Sequence, residues 1–168
     1  MYKRQLLFSS AGKSIRFRES DVRAVGRTAI GVRGIRLADN DKVVSLIVAE
    51  SNDPILTATE KGYGKRTQLD EYRTQARGGS GVISIKTSER NGQVVGAIQV
   101  TDEDEMMLIS NKGTLVRARA VDVSIIGRNT QGVTLINIAE EEMLVSVAKI
   151  AETEDDEQES EGDSQSEE

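Results

Sequence analysis

The sequence predicts an all-β fold, a propeller-like array of three four-stranded antiparallel blades, and three observations carry that prediction. The chain repeats itself at a period near fifty residues. Each repeat holds four short β-branched or apolar segments separated by Gly, Asn, Asp and Ser. Only five of the 168 residues are aromatic, so Val, Ile and Leu must fill the core.

The repeat is read by setting Gly12, Gly62 and Gly113 in register. Arg16, Arg66 and Arg117 then follow four residues on, and Arg27, Arg77 and Arg128 fifteen on. The pairs Gly31-Val32, Gly81-Val82 and Gly132-Val133 follow nineteen and twenty residues on. The apolar runs at 43–49, 94–100 and 144–150 keep the same order. This spacing places blades at about 6–50, 55–100 and 106–150, within a body of residues 1–151.

In the first repeat the strand segments are 6–10, 14–18, 31–37 and 43–49; in the third they are 106–110, 114–120, 132–138 and 144–150. Across the array this gives about twelve strands. Gly12, Gly62 and Gly113 fall between the first two segments, where a tight hairpin calls for positive φ. A weak helical pattern at 19–26 reads equally well as a long connecting loop. Alternation in SIRFR (14–18) sets Ile15 and Phe17 on one face and Arg16 and Arg18 on the other; TLVRARA (114–120) sets Val116 and Ala118 against Arg117 and Arg119. One face is expected to pack and the other to form a cationic stripe in solvent.

Charge divides the chain as sharply as the repeat organises it. The formal net charge is -6, from 22 basic and 28 acidic residues. Ten of the acids lie in residues 152–168, which hold no Lys or Arg, so the body is +4 and the tail -10. The tail has no apolar periodicity and is expected to be disordered.

Composition also excludes chemistry. With no Cys and no His, the chain offers no thiolate or imidazole zinc site, no Cys nucleophile and no Ser-His-Asp triad. No long apolar run or leader marks a membrane span or signal peptide, and a cytoplasmic location is expected. GKS at 12–14 lacks the Gly that a phosphate-binding loop requires at position 7, which is Leu7. The Gly62 and Gly64 pair has Thr67 where a dinucleotide fingerprint has its third Gly, and the calcium-loop-like 39–42 segment is followed by Val43 at a ligand position. The acidic clusters at 102–105 and 140–142 read as solvated turns. No catalytic constellation, metal site or cofactor site is expected.

Packing requires turn glycines and core valines at fixed period, but it requires no cation at the same strand position in every repeat. Arg16, Arg18, Lys65, Arg66, Arg77, Arg117, Arg119 and Arg128 are therefore the candidate contacts to nucleic-acid phosphates, which bind Lys and Arg without sequence readout. Duplex is favoured over single strand, because Tyr63 is the only stacking aromatic near the stripe. A convex row of cations would bend the duplex, at a cost of ~1–6 kcal/mol for a site of 20–30 base pairs. The other meaning of such charges is a solvated edge that blocks strand addition.

Residues 6–150 resemble the C-terminal DNA-wrapping domain of bacterial DNA gyrase A, in its later blades. The resemblance rests on GVRGIRL (31–37), DKVVSLIV (41–48), ILTAT (55–59), GYGKRT (62–67), GVISIKTSERNGQVVGAIQV (81–100) and GTLVRARAVDVSIIGRNTQGV (113–133). It implies a β-pinwheel that wraps double-stranded DNA, with the rest of gyrase A and with gyrase B as partners, and with ATP and Mg used by the full enzyme to introduce negative supercoils. The acidic tail would modulate wrapping. The resemblance also implies a bacterial, nucleoid-associated setting.

The chain departs from that family in several ways. It has three blades where the family has about six. The family heptapeptide QRRGGKG is matched only by a degenerate copy at 75–81, which keeps Gln75, Arg77, Gly78, Gly79 and Gly81 but has Ala76 and Ser80 in place of two cations. The active-site tyrosine and the ATPase are absent from the chain, so it is no enzyme on its own. The alternatives are the C-terminal domain of topoisomerase IV, which shares the blade pattern, and a propeller-type protein-interaction module. Three blades also leave two interblade faces unpaired, so the chain is expected to be a fragment, a truncated reading frame or a self-associating half-disc.

Overall fold

A computed structural model describes residues 4–150 of the chain. The tail at 152–168, with the disorder expected of it, lies outside the described residues. Eleven strands occur among these residues: β1 (Arg4–Ser9), β2 (Lys13–Arg18), β3 (Val43–Ala49), β4 (Ile55–Thr59), β5 (Tyr63–Thr67), β6 (Val82–Ile83), β7 (Val94–Gln99), β8 (Glu105–Ser110), β9 (Leu115–Arg119), β10 (Val133–Thr134) and β11 (Leu144–Lys149). They form three antiparallel sheets, ordered β3-β1-β2-β6, β10-β5-β4-β7 and β11-β8-β9. The fold is all-β, as the periodicity requires.

The hairpins β1-β2, β4-β5 and β8-β9 turn at Gly12, Gly62 and Gly113, with φ of 80°, 78° and 86°. That region is open to Gly and strained for other residues. The segment at 19–26 is a single 3-10 turn, Glu19–Asp21, followed by irregular chain, and equivalent turns stand at Leu69–Glu71 and Ala120–Asp122. It is a connecting loop and not a helix.

A blade is not a sequence repeat. The fourth strand of the first sheet, β6, comes from the second repeat and pairs with β2; β10 comes from the third repeat and pairs with β5. Each later repeat thus lends a two-residue strand to the blade before it. The segment 31–37, expected as a strand, forms none, since it has no strand to pair with among the described residues. For the same reason the third sheet has three strands and not four. Eleven strands replace the expected twelve because a strand exists only where its pairing partner does.

The core lies between blades. Leu6, Phe8 and Ala49 of the first sheet meet Ile55, Leu69, Tyr72 and Ala97 of the second repeat, and the Phe8 and Tyr72 rings pack edge to face at 5.8 Å. Leu56 and Ala58 share a second cluster with Met106, Leu108, Val123 and Leu144. Burying one large side chain here stabilises by about 1.5–3 kcal/mol, and two of the five aromatics are spent on one interface.

Gly62 and Gly113 share a backbone conformation but not an environment. A Cβ on Gly62 would collide with the Ile136 carbonyl oxygen of the next repeat, whereas one on Gly113 would meet nothing within 4 Å. Gly113→Ala should therefore cost only the backbone strain, about 1 kcal/mol, while Gly62→Ala should cost at least twice that, read from urea unfolding midpoints. Equal costs would mean that the interblade contact contributes nothing.

Candidate nucleic-acid interface

The repeating arginines divide into two populations. Ile15, Arg16 and Phe17 are all buried, at 0%, 5% and 2% exposure, and only Arg18 faces solvent. The expectation that Arg16 and Arg18 share an exposed cationic face is thus corrected. The outer face of β2 is covered by the next repeat. Arg16 Nη1 donates to the carbonyls of Leu69 and Tyr72, both at 2.9 Å. These bracket the 3-10 turn: Leu69 O also accepts the turn's own hydrogen bond from Tyr72 N at 3.1 Å, so its second lone pair takes the guanidinium, whereas Tyr72 O ends the turn. Burial, and secondarily Arg4, lowers the Arg16 guanidinium below its ordinary pKa, with Asp70 opposing.

Arg66 repeats the arrangement one blade on. It is 4% exposed; Nε donates to the Val123 carbonyl at 2.8 Å and Nη1 pairs with Asp102. The main chain follows, since Arg66 N donates to Ser124 O at 3.0 Å and Ile126 N to Arg66 O at 2.9 Å. Lys65 is fully buried, its Nζ held by the carbonyls of Gly127 and Arg128 and the hydroxyl of Thr130 at 2.6, 2.5 and 3.0 Å. Burial pushes it down to about 8, Glu71 opposing and Arg128 adding to the shift. Arg16, Lys65 and Arg66 are therefore interblade fasteners and not part of a solvent-facing stripe.

Arg117 occupies the same register with no following repeat, stands exposed and pairs with Glu105. Arg119 is exposed and forms a two-pronged pair with Asp122 at 3.0 and 2.9 Å. Arg77 and Arg128 are half-buried. Arg77 Nε donates to the Asp21 carbonyl at 3.1 Å and Nη1 to that of Arg33, while Arg128 Nη1 donates to Ile83 O at 2.8 Å. Both brace the loops that carry the exchanged strands.

The 75–81 segment forms one side of the first junction. Gln75 N donates to Arg16 O, Gly78 N to Gly34 O and Gly79 O accepts from Arg36 N, at 2.7–2.8 Å. Gly81, at φ 71°, lies so close to the Ser14 carbonyl that a Cβ would collide with it. The residues retained from the heptapeptide pattern are those that build the junction. The two replaced ones, Ala76 and Ser80, are exposed.

Sequence reasoning missed the outward-facing cations of the connecting loops. Arg23, Arg27, Arg33 and Arg36 are exposed in the first repeat and Arg73 and Lys86 in the second. Residues 18–36 carry five arginines against Glu19 and Asp21. That local excess was the available signal, but it does not recur at fixed period, so the repeat obscured it. Arg33 and Arg36 lie beside Arg77 and Gly79 through the contacts above. Among the described residues no group of three acidic side chains could hold a metal ion, and no helix is long and apolar enough to cross a membrane.

Three antiparallel sheets joined by exchanged strands, with cationic loops on the outside, define a propeller-type repeat domain. A family model described as the DNA gyrase C-terminal domain, beta-propeller, matches residues 6–50, 53–101 and 104–151, and the chain belongs to that family. It is 61% identical over 153 residues to the DNA gyrase A protein of Klebsiella oxytoca and 59% identical over 153 residues to that of Salmonella typhimurium, in each case 91% of this chain. It spans 18% and 17% of those relatives, under a fifth of their length. The solved gyrase A C-terminal domain matches with a TM-score of 0.83 at 31% identity, over 89% of this chain and 51% of that one. The C-terminal domain of DNA topoisomerase IV matches with a TM-score of 0.82 at 27% identity, over 88% and 46%.

Two measurements check the division of the cations. Arg66→Ala leaves buried carbonyls unpaired and should cost about 2–4 kcal/mol in urea unfolding, whereas Arg117→Ala should stay within about 0.5 kcal/mol. Folded Lys65 releases its proton near pH 8 and the unfolded chain near 10.5. The unfolded state therefore binds more protons in that window, and this group's contribution to stability rises with pH. The difference in unfolding free energy between the parent and Lys65→Met should rise by at most about 1.4 kcal/mol per pH unit from 8 to 10.5. A constant difference would contradict the buried ammonium.

Proposed function

We propose that the chain is a non-catalytic duplex-DNA-binding and bending module of DNA gyrase A. In the full enzyme it would act with the rest of gyrase A and with gyrase B, which supply the ATP- and Mg-dependent chemistry of negative supercoiling; this chain itself takes no cofactor. The observation that carries the reading is the surplus of exposed arginines on the loops outside the junctions, in a chain of this family. Phosphate contact falls to Arg18, Arg23, Arg33, Arg36, Arg73, Arg117 and Arg119. Arg77 and Arg128 brace the loops beneath them. Few aromatics stand near these cations, which fits a duplex backbone better than stacked single-stranded bases.

The ten acidic residues at 152–168 compete with phosphate for this cationic surface at the high effective concentration of a tethered segment. A second reading, the C-terminal domain of topoisomerase IV, fits the fold equally well. Identity of 61% to a gyrase A protein, against 27% to the solved topoisomerase IV domain, favours the first.

Binding of a fluorescent duplex measured against salt tests the reading. Removal of 152–168 should raise affinity, and Arg33→Gln with Arg36→Gln should lower the log-log salt slope by about 1–2. Ala76→Arg with Ser80→Lys adds two cations at exposed positions of the 75–81 segment and should raise the slope by a similar amount. A slope near zero, unmoved by any of these changes, would remove the physical basis of the proposal.

A further inference from the structure

Lys86 is a cation that the junctions do not bury. It occupies a register that alternation turns outward. The residue before it is a buried isoleucine in every repeat, Ile35, Ile85 and Ile136, and the residue at the register itself, Arg36, Lys86 or Asn137, is exposed each time. Lys86 belongs to the middle repeat and stays exposed with a repeat packed on each side of its own.

The main chain that carries this cation is clamped by the following repeat, in the same way for Arg36 and for Lys86. The carbonyl three residues earlier accepts from a guanidinium: Arg33 O from Arg77 Nη1, and Ile83 O from Arg128 Nη1 at 2.8 Å. The amide of the cation itself donates to a loop carbonyl, Arg36 N to Gly79 O and Lys86 N to Thr130 O, both at 2.8 Å. Each clamping loop is also tied to one register of the earlier repeat. Arg77 Nε donates to Asp21 O, and Arg128 N to the Glu71 carboxylate, both at 3.1 Å. The second clamp has a further anchor, since Lys65 Nζ binds Gly127 O, Arg128 O and Thr130 Oγ1 of the loop that holds Ile83 and Lys86. In the first clamp the counterpart of Lys65 is Ile15, which offers no such bond.

A phosphate contact made from a loose loop costs the ordering of loop and side chain together, whereas a loop already held leaves only the side chain to order. A clamp of this kind raises affinity without touching the ligand. It differs from a direct contact in one measurable way, because the counterions released depend on the phosphates neutralised and not on how well the loop was ordered beforehand.

We propose that Lys86 is a phosphate contact equivalent to Arg36, and that Arg77 and Arg128 are positioning residues that hold these two cations ready for a duplex backbone. The proposal rests on the duplex-binding reading above. Each outward cation is then set by the repeat after its own, so the two clamps carry the order of the junctions into the binding surface. Lys65 acts on the second clamp alone.

Titration of a fluorescent duplex with the full chain over a salt series separates the two roles. Lys86→Gln should lower the log-log slope by about 0.9, the value for one phosphate of B-DNA. Arg128→Met should weaken binding by roughly three- to tenfold at fixed salt while moving the slope by less than about 0.3. Hydrogen exchange should quicken at the Lys86 amide in Arg128→Met and in Lys65→Met, and at the Arg36 amide only in Arg77→Met. The clamps are separate, so if one variant fails to fold, the other clamp supplies the same test. A slope that falls by about 0.9 in Arg128→Met or Arg77→Met makes that arginine a direct contact and overturns its positioning role. An unmoved slope in Lys86→Gln overturns the contact, although the parent still binds. A parent whose binding does not respond to salt overturns the duplex reading itself and this proposal with it.

Discussion

At each formed junction a buried guanidinium from one repeat is pressed against main-chain carbonyls at the 3-10 turn of the next. Arg16 meets Leu69 and Tyr72, and Arg66 meets Val123 with Asp102 as counterion. Taking a cation out of water is costly, and the cost is offset only where several well-placed acceptors replace the lost hydration. The planar fork of Arg suits this because one group can reach two carbonyls at once. The exchanged strand and the glycine that admits it complete the same contact. No blade closes its own sheet, so every blade depends on the repeat that follows it.

This dependence changes what the charges of the body mean. The cation that recurs at the register of Arg16, Arg66 and Arg117 serves the junction, and where a following repeat covers it, at Arg16 and Arg66, it is withdrawn from any ligand. The cations left exposed lie mostly on the connecting loops and are concentrated between Arg18 and Arg36. The same division explains the 75–81 segment: Arg77 and its glycines serve the junction, whereas the positions occupied by Ala76 and Ser80 face solvent and carry no charge. Net charge alone, at -6, conceals both this partition and the separation of the tail from the body.

The ends of the array show what the junction contributes by lacking it. Gly12 and Gly62 are crowded by the next repeat and Gly113 is open; Arg16 and Arg66 are buried and Arg117 is exposed; Ala97 and Val147 are covered and Leu46 is not. In each case the local sequence pattern is nearly the same and only the presence of a neighbour differs. Lys65 adds a feature confined to one blade, since its counterparts are Ile15 and Val116. Its ammonium, drawn down to about 8 by burial, ties that blade to the loop of Gly127, Arg128 and Thr130.

The all-β class, the period and the hairpin glycines were legible in the residues, because alternation, turn chemistry and spacing are local properties of the chain. The partner of each strand was not, since pairing β6 with β2 and β10 with β5 joins residues far apart in sequence, and the Gly-Val pairs carry no mark of which blade receives them. For the same reason the alternation of SIRFR correctly showed Arg16 and Phe17 on opposite faces but not that both faces would be covered. Sequence by itself determined that a cation stands at that position in every repeat. The tertiary structure alone decided that it faces the carbonyls of the next blade where one exists, and water where none does, because burial is a property of neighbours and not of the strand.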